Sequence, residues 1–334
     1  MTLPVKRVGK FFLKLLVTLV PAYFVWHNIA ASSDLGKNLT EVFRDINLWW
    51  LVGASFALVL SHFLGAKQWN TLLVIQDVRM TYRKALKYYW TGLFFNNFMP
   101  GNVGGDLKRV VDVKMESGKG VNAGLSATLF DRLFGLFFLN ALSLGVGVLF
   151  FIKDPRQSPI LLPSFGVFMG FCLLFAALFS KRIGKFLERL LQVFFPAKFM
   201  KLFTTLRDSF HLFRQKELWI RITIYSACAQ ILRVSVHWFC GLAIGLDISV
   251  SWYFYYIPIV AVISALPISI GGFGPREYLA QTLFALAGVG VMDSVIVQLL
   301  AYLVSLVVSL WGAVEFLFIR SATTHADTSS PSLS

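Results

Sequence analysis

Six stretches of this chain are apolar for about the length a helix needs to cross a bilayer: roughly 11 to 28, 47 to 66, 122 to 152, 161 to 180, 219 to 246 and 293 to 319. A hydrocarbon core about 30 Å thick takes ~20 helical residues, and lipid offers irregular backbone no hydrogen-bond partner, so such segments must be helices. Of the 334 residues 57% are hydrophobic and 14% charged, which leaves too little polar sequence for a separate soluble catalytic domain. The expected fold is an all-α, polytopic membrane helical bundle. Residues 1 to 320 form its single integral-membrane domain, and 321 to 334 a disordered cytoplasmic tail. The first run, behind Lys6, Arg7, Lys10 and Lys14, reads as an uncleaved span.

The net charge of +14 does not point to nucleic acid, because the lysines and arginines fall in the connections between apolar runs. There they set orientation and attract anionic lipid headgroups. The three cysteines, Cys172, Cys228 and Cys240, lie inside apolar segments without metal or redox spacing and read as packing residues.

Two further apolar pieces, 85 to 99 and 253 to 267, run into Gly/Pro-rich breaks before they can cross. Basic residues flank the first on both sides, Arg83 and Lys84 before it with Lys87 at its start, and Lys108, Arg109 and Lys114 after it. Both flanks belong in the cytoplasm, so the piece should enter and return as a re-entrant hairpin. The same reasoning makes the long basic connection after residue 180 cytoplasmic, with "FLERLLQVFF" as an interfacial amphipathic helix. Both termini are then cytoplasmic in a multi-pass protein of the bacterial plasma (inner) membrane.

The two breaks resemble each other. "PGNVGGDLKR" and "PISIGGFGPR" share PxxxGGxxxR at an offset of 167 residues, matching Pro100, Gly104, Gly105 and Arg109 with Pro267, Gly271, Gly272 and Arg276. The chain then divides into two repeats, about 1 to 155 and 156 to 320, each with three crossings and one hairpin. An odd number of crossings inverts the second relative to the first. Interrupted helices at corresponding places of inverted halves are where secondary transporters hold their substrate. Asp106 is a candidate cap for the helix after the first break, and Pro275 suits the first turn of the helix after the second. Two helix N-termini with Arg109 and Arg276 beside them would cradle an anion, for which a lipid phosphate is the obvious candidate.

Ionisable and amide groups inside apolar spans mark further candidates. Asp131 and Arg132 lie within 122 to 152, where they serve either as structural partners of the hairpins or as direct substrate contacts. Gln230, Arg233 and His237 share one helical face. Asn97 precedes the first break, and Glu277 stands where it can orient Arg276. Lys67 and Lys108 read as snorkelling side chains, and Glu315 as interfacial. No P-loop, HExxH, GxSxG or paired-aspartate signature is present, and no cofactor or metal motif.

"NNFMPGNVGGDLKRV", "AGLSATLFDRLFGL" and "LPISIGGFGPREYLAQTLFALAGV" together resemble the two signatures of the lysylphosphatidylglycerol synthase transmembrane-region family, over roughly residues 10 to 320. The resemblance implies a flippase-like membrane domain that moves aminoacylated or anionic phospholipid between leaflets. In bifunctional members a cytoplasmic transferase domain follows, and this chain stops soon after its last span. The expectation is therefore a lipid flippase or transporter of lipid-linked intermediates, not an enzyme, with anionic membrane lipids as its ligands. Two other readings compete: an integral-membrane transferase acting on a lipid phosphate, and a non-transporting partner of a separate lipid-modifying enzyme.

Overall fold

The computed structural model describes residues 44–98, 104–118, 121–157, 160–192, 216–265 and 274–328, with single positions at 19–27 and 204–210. Most of the expected first span, the two hairpin tips with Gly271 and Gly272, and the last six residues lie outside the described residues.

Among the described residues all regular structure is helical. Helix α1 is Leu48–Ile75, α2 is Tyr82–Phe98, α3 is Gly104–Ser117 and α4 is Val121–Lys153, followed by a 3-10 turn at Pro155–Gln157. Then come α5 (Leu161–Phe179), α6 (Lys181–Gln192), α7 (Lys216–Ala243), α8 (Val250–Ser264), α9 (Pro275–Ala285) and α10 (Val291–Thr328). Helices α1, α4, α5 and the part of α10 up to Leu317 are long and apolar enough to cross a membrane. Helix α7 is as long as α1, 28 residues, but is not apolar enough to count among them. Its Arg221, Gln230, Arg233 and His237 dilute the expected span. Three of them turn out to face a cavity rather than lipid. The segment expected as a disordered tail begins as helix, because α10 continues to Thr328.

The first break is a hairpin of two short helices. At 1.5 Å per residue the 17 residues of α2 reach about 25 Å, short of the full core. Its contacts with α3 run antiparallel. Asn96 meets Gly105, Tyr89 meets Arg109, and Tyr88 and Lys84 both meet Glu116. At the crossing, a side chain on Gly105 would lie 2.6 Å from the carbonyl carbon of Gly92, so the backbones touch directly. Helices α8 and α9 form the second hairpin, closed by Phe284 against Tyr253 and Tyr256. Gly274 precedes α9 with φ of 84°, a conformation that favours glycine, and Pro275 opens the helix where its missing N–H costs nothing.

The repeat extends beyond the motif. Helices α1 to α4 begin at 48, 82, 104 and 121, and α7 to α10 begin at 216, 250, 275 and 291, an offset of 168 to 171. Packing follows the same correspondence. Helix α1 lies along α7, where the Ser61 hydroxyl donates to the Ala229 carbonyl 168 positions away at 3.0 Å. Each hairpin packs on the last long helix of the other half, α2 on α10 and α8 on α4. Asn97 Nδ2 donates to the Ser305 carbonyl at 3.2 Å, and Ser143 Oγ to the Tyr255 carbonyl at 2.7 Å. Helix α6 is strongly amphipathic and exposes Ile183 and Phe186, as an interfacial helix should.

Candidate functional site

A cavity of about 440 Å³ lies between the halves, walled by α1, α2, α3, α4, α7, α8, α9 and α10. Both hairpins border it. The corresponding positions of α1 and α7 supply His62 and Gln230, then Gly65 and Arg233; those of α4 and α10 supply Arg132 and Tyr302, then Gly135 and Ser305.

Four arginines and two aspartates line the wall: Arg109, Arg132, Arg233 and Arg276 with Asp106 and Asp131. Arg132 Nε meets Asp106 Oδ2 at 2.5 Å, and Arg109 Nη1 approaches Asp131 Oδ2 at 3.9 Å. Asp131 and Arg132, adjacent in sequence, thus pair with different residues of the first hairpin, because neighbours on a helix point in different directions. Arg276 is held by Glu277 at 2.5 and 2.9 Å, the orienting contact expected of that glutamate. Arg109 is 3% exposed. Its guanidinium lies over the Tyr89 ring at 3.8 Å, and its buried Nε has no hydrogen-bond partner. Arg276 lies over Tyr302 at 5.2 Å.

Arg233 differs from the other three. Its Nε donates to Ser61 Oγ at 3.1 Å, Nη1 to Gln230 Oε1 at 3.4 Å and Nη2 to Tyr89 Oη at 3.3 Å, all of them neutral groups. Beside it on α7, His237 Nδ1 lies 3.4 Å from the Arg233 carbonyl. Gly135 leaves room for Gln230, since a Cβ there would sit 2.6 Å from Gln230 Nε2.

One sequence expectation changes. Asp106 does not precede α3 as a cap; it sits in the first turn, where its carboxylate engages Arg132. At each helix N-terminus one backbone N–H is already engaged. Asn96 Oδ1 accepts from Gly105 N at 2.8 Å, and Glu277 Oε2 accepts from Gly274 N at 2.8 Å, because each segment carries its own acceptor. The full positive charges on the wall are those of the guanidinium groups. Gly104 opens α3, and buried Gly105 serves the hairpin crossing. Asn97 lines the cavity and also ties α2 to α10. Lys108 pairs with Asp112, Lys67 lies over Tyr82, and Glu315 meets Lys87 at 3.5 Å. All three cysteines are free.

Sequence reasoning missed His62, Gln68, Tyr89, Asn96, Gln298 and Tyr302 on the wall. A signal existed for Gln298, an isolated polar group inside an apolar span. Tyr89 and Tyr302 carried none, because tyrosine in such a chain equally suits the membrane interface.

These features define a polytopic membrane protein with two broken-helix hairpins around an arginine-lined central cavity. The chain belongs to the lysylphosphatidylglycerol synthase transmembrane-region family, whose model matches residues 11–312. It is similar to the UPF0104 membrane protein PH1989 of Pyrococcus horikoshii, with 24% identity over 86% of this chain and 90% of that protein. No solved structure matches. Membership makes this a membrane domain of the lysylphosphatidylglycerol synthase type, with a lipid-related membrane function.

Proposed function

We propose that this protein moves a phospholipid or lipid-linked intermediate with an anionic headgroup between leaflets, without changing it covalently. The observation that carries the reading is the cavity itself: about 440 Å³ between repeat-related halves, with four guanidinium groups on a wall that lies among membrane-crossing helices. Buried arginine is costly in hydrocarbon and is retained where it meets a ligand or a partner. In this reading the protein sits in the plasma membrane with both termini cytoplasmic. Its halves are inverted, and the headgroup crosses through the cavity while the acyl chains stay in lipid. The direction of net movement follows a lipid or ion gradient.

The test is leaflet exchange in phosphatidylcholine vesicles containing the full-length protein and acyl-labelled fluorescent phosphatidylglycerol, with dithionite quenching of the outer leaflet. Wild-type protein should make the label fully quenchable. Arg109→Ala and Arg276→Ala should abolish exchange; wild-type rates in both variants remove the cavity as the route. Mass spectrometry of the vesicle lipids should show unchanged masses, and a new covalent product would replace transport with catalysis.

A further inference from the structure

The wall does not balance its own charge. Arg132 is matched by Asp106, Arg109 by Asp131 and Arg276 by Glu277. Among the described residues Arg233 has no carboxylate of its own at ion-pair distance; it shares the field of Asp131 with Arg109, and its direct contacts are the hydroxyls of Ser61 and Tyr89 and the amide oxygen of Gln230. No further Asp, Glu or Lys lines the cavity among the described residues. The hairpin tips, 99–103 and 266–273, lie outside them but contain no ionisable side chain in sequence. Among the described residues one guanidinium charge is left over in a cavity walled by helices.

We infer that the cavity takes a phosphate group carrying no compensating ammonium, and that Arg233 is the residue that binds it. The inference rests on the transport reading for the site and goes further by choosing the ligand's charge. A phosphodiester with a neutral glycerol or sugar headgroup brings one negative charge and neutralises the wall. A lysylated headgroup brings two ammonium groups against one phosphate. Its surplus positive charge would meet carboxylates already engaged by arginine and an unmatched Arg233. Like charges at this depth repel with little screening. The cavity is built to prefer the unmodified anionic lipid over the aminoacylated one. Arg233 is held in place for this by three neutral acceptors, which orient the guanidinium without cancelling its charge.

Native mass spectrometry of the full-length protein in detergent, titrated with phosphatidylglycerol or with lysylphosphatidylglycerol, reads the preference directly. Wild-type protein should bind phosphatidylglycerol at least ~10-fold more tightly. In Arg233→Gln the preference should fall to within about twofold, and Arg233→Lys, which keeps the charge, should retain most of it. Equal or tighter binding of lysylphosphatidylglycerol by wild-type protein overturns the inference, and this comparison holds even if Arg233→Gln fails to fold. A full preference surviving in folded Arg233→Gln also overturns it. Inorganic phosphate at millimolar concentration should displace the lipid weakly. Displacement as effective as by free phosphatidylglycerol would identify a soluble anion site and overturn the lipid assignment. Vesicles distinguish this from failure of the transport reading. Selective binding without lipid exchange defeats transport and leaves the inference standing, whereas equal exchange of both lipids defeats the inference and leaves transport.

Discussion

Replacing Gly105 with alanine perturbs the first hairpin at its tightest point. The new Cβ would lie 2.6 Å from the Gly92 carbonyl carbon, closer still to its oxygen, and 2.8 Å from Asn96 Cγ. Carbon atoms pack best at about 3.5–4.0 Å, so α2 and α3 must part by roughly 1 Å. The obstacle is backbone, which cannot swing aside as a long side chain would. Overpacking of this kind costs about 1–3 kcal/mol. Parting the arms also strains the 2.8 Å bond from Gly105 N to Asn96 Oδ1, worth about 1 kcal/mol more. Gly145→Ala is the matched control, a glycine in α4 where an added Cβ meets nothing within 4 Å. Thermal unfolding of the detergent-purified proteins, followed by tryptophan fluorescence, should place Gly105→Ala well below wild type and Gly145→Ala at or above it. Equal stability of the two variants would refute the direct backbone contact between the hairpin arms.

A double-mutant cycle tests whether Asp106 and Arg132 act as one unit. The carboxylate is 13% exposed and the guanidinium 32%, so each single alanine variant should lose about 1–3 kcal/mol, less than a fully buried pair would lose. The double variant should be no less stable than the worse single one, and additive losses in thermal unfolding would show that the pair is not coupled. The re-entrant course of α2 and α3 predicts that Met115→Cys, at an exposed position near the end of α3, reacts only from the cytoplasmic side in a cysteine-free background. Trp49→Cys, exposed at the start of α1, should react only from outside, and external labelling at 115 would make α2 a complete crossing.

How much of this was legible follows from which interactions are local in sequence. The apolar lengths of α1, α4, α5 and α10 are visible directly because lipid permits only helix. The PxxxGGxxxR recurrence is visible because a close backbone crossing restricts the residue type at Gly105. Arg132 and Arg233 stand out because charge in an apolar run needs a reason, and Arg109 and Arg276 because they close the two copies of the motif. Pairing was not legible. Which carboxylate meets which arginine depends on how neighbouring helices face one another, and Asp106 of α3 reaches Arg132 of α4. The motif offset also misled in one respect. Matching the glycines aligns Arg109 with Arg276, yet Arg276 lies in the first turn of α9 while Arg109 lies in the second turn of α3. Counted from the helix starts, it is Asp106 and Glu277 that correspond. Each is the first-turn acid of its helix, and each is bonded to an arginine.

The asymmetry of the repeat at one pair of positions accounts for the unmatched charge and can be tested there. Where α7 carries Arg233, the corresponding position of α1 carries Gly65, and both line the cavity. A Cβ on Gly65 would collide with the Tyr89 hydroxyl, lie 2.9 Å from Tyr89 Cζ and come within 3.5 Å of Arg233 Nη2. Tyr89 therefore occupies the space that a second side chain would fill. From there it accepts from Arg233 through its hydroxyl and supports Arg109 under its ring. Gly65→Ala changes no charge, yet it should displace the tyrosine that positions two guanidinium groups at once. Phosphatidylglycerol binding should weaken by a factor approaching that of Arg233→Gln, and Gly65→Ala combined with Tyr89→Leu, which removes the colliding hydroxyl, should recover fold stability but not affinity. Unchanged affinity in Gly65→Ala would mean that Tyr89 yields without moving either arginine, and its role as their common support would have to be abandoned.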